Sequence, residues 1–195
     1  MGEIKSALEL ALERTRDIAG DPEALHRNEA RKDGKRLYAR LRSGESVDIA
    51  KELKNAPTER RAWVKEGLLE VILSNLTLPQ YESDLENLDT TEKALSELGG
   101  DRGTLRSLMR QTREFFSQYL ADRQQMIESL RQQFGPRLRQ KEQQLEQQYG
   151  RPVRIDPSTD PEFSAVLQDN LGRLDGQYRG ALAQIYDHLK GMFAG

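Results

Sequence analysis

One apolar position recurs every eleven residues along the middle of this sequence. Its members are Leu105, Phe116, Ile127, Leu138 and Tyr149. Eleven residues make three turns of an α-helix at about 3.67 residues per turn, so these side chains share one face of a nearly straight helix. The repeat predicts a single long helix over residues 102–149, about 70 Å in length if it is unbroken. Gly135-Pro136 lies inside it and predicts a kink, because proline removes a backbone hydrogen bond.

The same eleven-residue spacing returns three times in residues 160–193. The three series are Phe163/Leu174/Ile185, Leu167/Tyr178/Leu189 and Leu171/Leu182/Phe193. The intervening residues 150–160 are rich in glycine, proline and aspartate, which are turn formers. We therefore expect an antiparallel helical hairpin that folds back near residue 156. In that register Ile127 lies opposite Ile185, and Tyr149 lies opposite Phe163.

The first 78 residues predict a smaller cluster of helices. We expect a helix over residues 3–19 that Gly20-Asp21-Pro22 ends, and a second helix that runs to about Arg42. A third should run from Ser46, as the N-cap, to about Asn55. Pro57 suits the first turn of the next helix, whose residues 62–76 hold the densest apolar run and should be well buried. Pro79 then opens a helix that ends near Leu98. The predicted fold is thus an all-α, elongated bundle, with a helical cluster over 1–78 and the long hairpin region over 79–195.

The composition narrows the functional classes. The chain has 36% apolar residues, 32% charged residues and no cysteine, which excludes disulfides, thiolate metal sites and cysteine nucleophiles. No apolar run is long enough to cross a membrane, so we expect a soluble cytoplasmic protein. The two histidines, His26 and His188, have no partner motif, and no phosphate loop or nucleophile elbow occurs. We expect no cofactor, no metal site and no catalytic residue.

Basic side chains share one face of the second predicted helix. The face consists of Arg27, Arg31, Lys35 and Arg42, with Tyr38 among them. A basic stripe that includes an aromatic residue is one way to contact a phosphate backbone. Glu29 and Asp33 dilute the stripe, however, and we favour a face that is solvated or paired within the chain. Arg151 and Arg154, at the hairpin tip, are the second candidate contact for nucleic acid.

A second basic stripe has matching acids within the chain. Folding the sequence at Gly99-Gly100 brings four acidic residues of the preceding helix beside four arginines of the long helix. The predicted pairs are Glu97 with Arg102, Glu92 with Arg106, Asp89 with Arg110, and Glu86 with Arg113. We expect these ion pairs to fix the register of the two helices rather than to bind a ligand.

The sequence favours a non-catalytic interaction or scaffold protein. Two long helices present more apolar seam than they can cover, so a protein partner or a second copy, as in a homodimer, is expected to supply further helices. The alternative is an RNA- or ribosome-associated factor that uses residues 27–42 or the hairpin tip. A ligand- or metal-dependent enzyme is the least favoured hypothesis, for want of a catalytic cluster.

Overall fold

The structure is a computed structural model that describes residues 22–193 of the 195-residue chain. Within that range it contains α-helices, two short 3-10 helices and no β-strand, which confirms the predicted all-α class. The predicted helix over residues 3–19 lies outside the described residues. The α-helices are α1 (Pro22–Arg42), α2 (Ile49–Asn55), α3 (Thr58–Asn75), α4 (Asn87–Leu98), α5 (Arg102–Tyr149) and α6 (Pro161–Phe193), and the 3-10 helices are Glu82–Glu86 and Pro157–Thr159.

The described residues form two compact units. The first consists of residues 22–75 and 93–99, and the second of residues 76–92 and 100–193. The sequence places the division at residue 78 and does not anticipate that residues 93–99 belong with the first unit. None of the helices within 22–193 combines the length and the apolar content needed to cross a membrane.

The first unit is organised by a close crossing of α1 and α3. A Cβ atom at Gly34 would lie 2.1 Å from the carbonyl oxygen of Val64, and one at Gly67 would lie 2.1 Å from that of Arg31. No larger side chain fits at such distances, so the two glycines set the separation of the helices. The side chains buried in α1 and α3 are Ala30, Leu37, Tyr38, Leu41, Val64, Leu68, Ile72 and Leu73.

Several predicted helix starts need correction. Asp48 rather than Ser46 caps α2, because its carboxylate accepts the N–H of Lys51 at 2.8 Å and also complements the helix dipole. Pro57 directly precedes α3 instead of lying in its first turn. The helix predicted to open at Pro79 begins as the 3-10 segment, since Asp84 accepts the N–H groups of Gln80 and Tyr81 (2.8 and 3.0 Å) and holds a turn there.

The second unit is built on α5, whose predicted bounds are confirmed. Asp101 caps its start by accepting the N–H groups of Gly103 and Thr104 at 3.1 and 3.0 Å. The hydroxyl of Thr104 also donates to Asp101. This bond is the largest cause that lowers the pKa of Asp101, and the two backbone bonds lower it further. Gly150 ends the helix in the left-handed conformation, with φ of 67°. The helix continues through Pro136 without interruption.

The antiparallel pairing of α5 with α6 is present, but the predicted register is wrong. Phe134 packs edge-on against Phe163 with ring centroids 5.4 Å apart, and Lys141 forms an ion pair with Asp160. These contacts slide α6 along α5 by about three to four helical turns from the prediction. Tyr149, which was expected to meet Phe163, is 61% exposed.

The loop after α5 explains the shift. Ile155 lies back along α5, where its N–H donates to Glu142 at 2.7 Å and its side chain packs against a cluster made by Leu130, Phe134, Leu138 and Phe163. The loop therefore lies against the part of α5 around Leu138 and Glu142, which α6 was predicted to cover. An eleven-residue repeat also matches apolar to apolar when one helix slides along the other by whole turns, so the pattern did not fix a single register.

The middle of the hairpin has no buried residue. Residues 120–129 of α5 and 164–173 of α6 are all half-buried or exposed. Buried side chains lie on both sides of this gap, with Tyr119 and Leu174 at one edge and Leu130 and Phe163 at the other. We call the gap the waist, defined by its half-buried apolar residues Leu120, Met126, Ile127, Val166, Leu167 and Leu171.

Candidate functional site

The basic face of α1 is paired with acids of α3. Arg31 and Lys35 contact the carboxylate of Glu70 at 2.8 and 3.1 Å, and the hydrogen bonds from Lys35 and Arg31 lower the pKa of Glu70. Arg27 approaches Glu66 at 4.0 Å. Arg42 donates to Asn75 at 2.6 Å, and Tyr38 is buried. Most of the positive charge that could meet a phosphate backbone is thus compensated within the first unit.

The hairpin tip leaves its basic residues in solvent. Arg151 and Arg154 are exposed in the loop after α5, close in sequence to the exposed Tyr149. Within the described residues neither arginine forms an ion pair. The tip therefore keeps the two guanidinium groups that made it a candidate contact, and the structure adds the exposed ring of Tyr149 beside them in the sequence.

The four predicted acid–arginine pairs do not form as a set. Asp89 does pair with an arginine, but with Arg113 at 2.5 Å rather than with Arg110. The simple fold-back assumed a symmetric turn, whereas Gly99 and Gly100 both take left-handed φ values, 102° and 96°, and the pairing slides by about one turn. Glu97 instead accepts the backbone N–H of Ile49 at 2.6 Å, at the start of α2.

Three arginines of α5 are left without the partners predicted for them. Arg102, Arg106 and Arg110 follow one another at single-turn intervals and are all exposed. Among residues 22–193, no ion pair or hydrogen bond joins their side chains, or those of Glu86 and Glu92, to another side chain. The start of the long helix therefore carries a row of three arginines that form no ion pair with a described residue.

Two of these arginines line a cleft of about 470 Å³ within the second unit. Its lining includes two apolar residues, Leu88 and Met109, which are 3% and 2% exposed and form its floor. One wall carries acids of α4 and the other carries arginines of α5. The lining residues are Leu88, Asp89 and Glu92 on α4, and Gly103, Arg106, Ser107, Met109, Arg110 and Arg113 on α5.

A reciprocal tyrosine–aspartate arrangement, missed in the sequence, lies next to the waist. The hydroxyl of Tyr119 donates to Asp175 at 2.7 Å, and that of Tyr178 donates to Asp122 at 2.5 Å. The two rings pack edge to face, 5.0 Å apart. Burial and these hydrogen bonds raise the pKa of each hydroxyl to about 12. The sequence pattern that could have predicted this arrangement is Tyr-x-x-Asp at residues 119–122 of α5, together with the reversed pattern Asp-x-x-Tyr at residues 175–178 of α6.

The two histidines lie apart from the cleft and the waist. His26 of α1 and His188 of α6 are both exposed. No group of three or more histidine, aspartate or glutamate side chains within residues 22–193 is arranged to hold a metal ion.

The model of a family of unknown function, DUF6657, matches residues 50–191. No curated protein and no solved structure matches the chain. The matched range contains both the waist and the cleft, whereas the basic face of α1 lies outside it.

Proposed function

We propose that this chain, which belongs to the family of unknown function DUF6657, is a non-catalytic interaction protein. Its α5–α6 hairpin is the interacting element, and its waist is the surface that receives a helix. The helix comes from a protein partner or from a second copy of the chain.

The observation that carries the proposal is the incomplete burial of the waist. All six of its apolar side chains are half-buried, and three of them, Met126, Val166 and Leu167, pack on one side against the cluster of Leu130, Phe134, Leu138 and Phe163. Two helices cover each other on one side only, so a seam of this kind is closed in helical bundles by a third or fourth helix. Burial of each further methylene group would contribute about 0.8 kcal/mol. The polar and aromatic contacts on either side already fix the hairpin, so the waist is available to a partner without refolding.

Removal of waist side chains tests the proposal. In Ile127→Gln/Leu171→Gln two polar side chains replace two half-buried apolar ones, while good helix formers are kept at surface-accessible positions. We expect the variant to lose concentration-dependent self-association in sedimentation velocity, or to lose a protein that the wild-type chain captures from its native cell extract. The matched control is Gln125→Ala/Gln168→Ala, which changes exposed positions of the same segments and should behave as the wild type. A wild-type chain that neither self-associates nor captures any protein lost by the variant would contradict the proposal.

The second candidate is an RNA-associated factor, favoured by the two exposed arginines beside Tyr149 at the hairpin tip. Phosphate contacts weaken steeply with salt because bound counterions are released. A fluorescence titration with mixed single-stranded RNA at two salt concentrations separates the candidates. Salt-sensitive binding that Arg151→Ala/Arg154→Ala abolishes would support this second function.

A further inference from the structure

Arg106 and Arg110 carry charge that the fold does not use. They lie one turn apart on the same face of α5, with Arg102 one turn before them. Like charges at this spacing disfavour a helix, and no described acidic residue within 4.0 Å compensates either guanidinium. The neighbouring Arg113, by contrast, is held by Asp89 at 2.5 Å. The guanidinium groups of Arg106 and Arg110 therefore line the cleft as two bidentate hydrogen-bond donors without a partner in the fold.

The cleft offers more than positive charge. Its floor is formed by Leu88 and Met109, both almost fully buried, and Glu92 on the opposite wall is half-buried without an ion pair to a described residue. Between Gly103 and Arg113 the groove runs for about 15 Å along α5. An extended peptide of about four to five residues fills that length. The site thus combines two cationic donors, one apolar surface and one anionic acceptor.

We infer that this cleft binds an acidic peptide segment with alternating carboxylate and apolar side chains. The carboxylates accept from Arg106 and Arg110, where guanidinium and carboxylate groups match in a bidentate geometry. The intervening apolar side chain lies on Leu88 and Met109, and a backbone N–H of the peptide donates to Glu92. The inference goes beyond the proposed function, because it assigns a second site, distinct from the waist, to one segment of a protein partner.

A nucleic-acid backbone fits the cleft less well. A nucleic-acid backbone carries a charge at every phosphate, so it cannot keep its charge on the side of Arg106 and Arg110 and away from the carboxylates of Asp89 and Glu92 on the α4 wall. Its phosphate groups also supply no apolar group for the floor. A peptide segment satisfies both, since its acidic and apolar side chains alternate along an extended chain. RNA binding is therefore the competing outcome of the test.

The test uses a fluorescein-labelled peptide of glycine and serine with a central Glu-Leu-Glu-Leu segment, titrated with the full chain and followed by anisotropy. We expect binding that falls at least about tenfold in Arg106→Ala/Arg110→Ala, the loss expected for charge-assisted hydrogen bonds of this kind. We also expect the fall when glutamine replaces glutamate in the peptide, and a smaller fall when glycine replaces leucine. Arg139→Ala, an exposed arginine of the same helix outside the cleft, is the matched control and should leave the affinity unchanged.

The same variants separate a binding role from a structural one. Because the two arginines have no partner in the fold, Arg106→Ala/Arg110→Ala should melt at the wild-type temperature or slightly above it, as followed by circular dichroism. Equal affinity for the glutamate and glutamine peptides, or unchanged affinity in the double variant, would overturn the inference. The inference would also be overturned if single-stranded RNA bound more tightly than the peptide and lost its affinity in the same double variant. Ile127→Gln/Leu171→Gln should leave peptide affinity unchanged, so that a failure of the cleft and a failure of the waist are told apart.

Discussion

Two tyrosine hydroxyls tie α5 to α6, one in each direction. Phenylalanine at positions 119 and 178 keeps the ring packing but removes the hydrogen bonds to Asp175 and Asp122. We expect each substitution to lower the free energy of unfolding by about 1–2 kcal/mol, since the acceptors are charged but partly solvated. Urea denaturation followed by circular dichroism measures the change. Tyr149→Phe, at a position that is 61% exposed, is the control and should be neutral; equal stability of all three variants would refute the role of the hydroxyls.

The same hydroxyls predict how stability changes at alkaline pH. The pKa of each is raised to about 12 in the folded chain, whereas the pKa of an unfolded tyrosine is about 10. The unfolded state therefore releases these protons first, so the stabilisation is complete below about pH 10 and is lost as the pH rises toward 12. We expect the stability difference between the wild type and Tyr119→Phe/Tyr178→Phe to be constant below that window and to shrink within it. A difference that stays constant up to pH 12 would contradict the assignment.

Glycines in this chain should respond to alanine with opposite signs. Gly67→Ala places a Cβ atom 2.1 Å from the carbonyl oxygen of Arg31 and should destabilise the first unit by about 1–3 kcal/mol or more. Trp63, the single tryptophan, lies in α3 and reports this unfolding by fluorescence. Gly172, Gly176 and Gly180 of α6 have no atom within 4 Å of such a Cβ, so alanine at each should stabilise by about 0.4–1 kcal/mol. Two effects of the same sign would show that the crossing of α1 and α3 is not limited by these glycines.

At the scale of the helices, the sequence predicts boundaries better than it predicts contacts. Asp101 and Gly150 carry local cap chemistry, so the bounds of α5 could be read directly from the residues. The hairpin register could not, because the eleven-residue repeat is degenerate and the course of the loop is set by contacts such as that of Ile155 with Glu142. The close approach at Gly34 is likewise invisible, since a glycine within a helix gives no sign of what lies opposite.

The arginine cleft shows the same limit for the candidate site. The sequence identifies the residue types of both walls, but it pairs Arg106 with Glu92 and Arg110 with Asp89. In the fold Asp89 pairs with Arg113 instead, and Glu92 forms no ion pair with a described residue. A shift of about one turn at Gly99-Gly100 is enough to turn a row expected to be compensated into an open one. The types of side chain at the cleft could therefore be predicted from the sequence. Whether the arginines are free to bind a ligand could not, because that depends on a shift of about one turn between α4 and α5.

Cross-linking tests the observed register of the hairpin. The chain has no cysteine, so a pair can be introduced without background. Arg137 and Glu162 form an ion pair, and cysteines at these positions should react efficiently with a short bifunctional maleimide. Ile127→Cys/Ile185→Cys, the pair expected from the sequence, should not cross-link within one molecule. Mass spectrometry of the digested product distinguishes the two cases, and efficient linkage of the second pair alone would restore the sequence-based register.

At the scale of the whole molecule, the distribution of charge matters more than its sum. The net charge is only −2, yet the acids of α3 compensate the basic face of α1 through Glu66 and Glu70. Glu66→Gln/Glu70→Gln removes that compensation and should raise the affinity for single-stranded RNA, with a steeper dependence on salt. Glu59→Gln/Glu128→Gln makes the same change in net charge at exposed positions and should have little effect. Equal RNA binding by both double variants would show that α1 does not contact phosphate groups even when uncompensated.

The ion pair of Lys141 with Asp160, at the base of the hairpin loop, has a consequence for how the chain folds. Its partners are 19 residues apart, and Asp160 also accepts the N–H of Phe163 at 3.0 Å, at the start of α6. Contacts between residues that are close in sequence form at a small entropic cost, so hairpin closure should begin here and proceed toward the pair of Tyr119 with Asp175, whose partners are 56 residues apart. Asp160→Ala should therefore slow refolding in stopped-flow experiments more than it accelerates unfolding, whereas Tyr119→Phe should mainly accelerate unfolding.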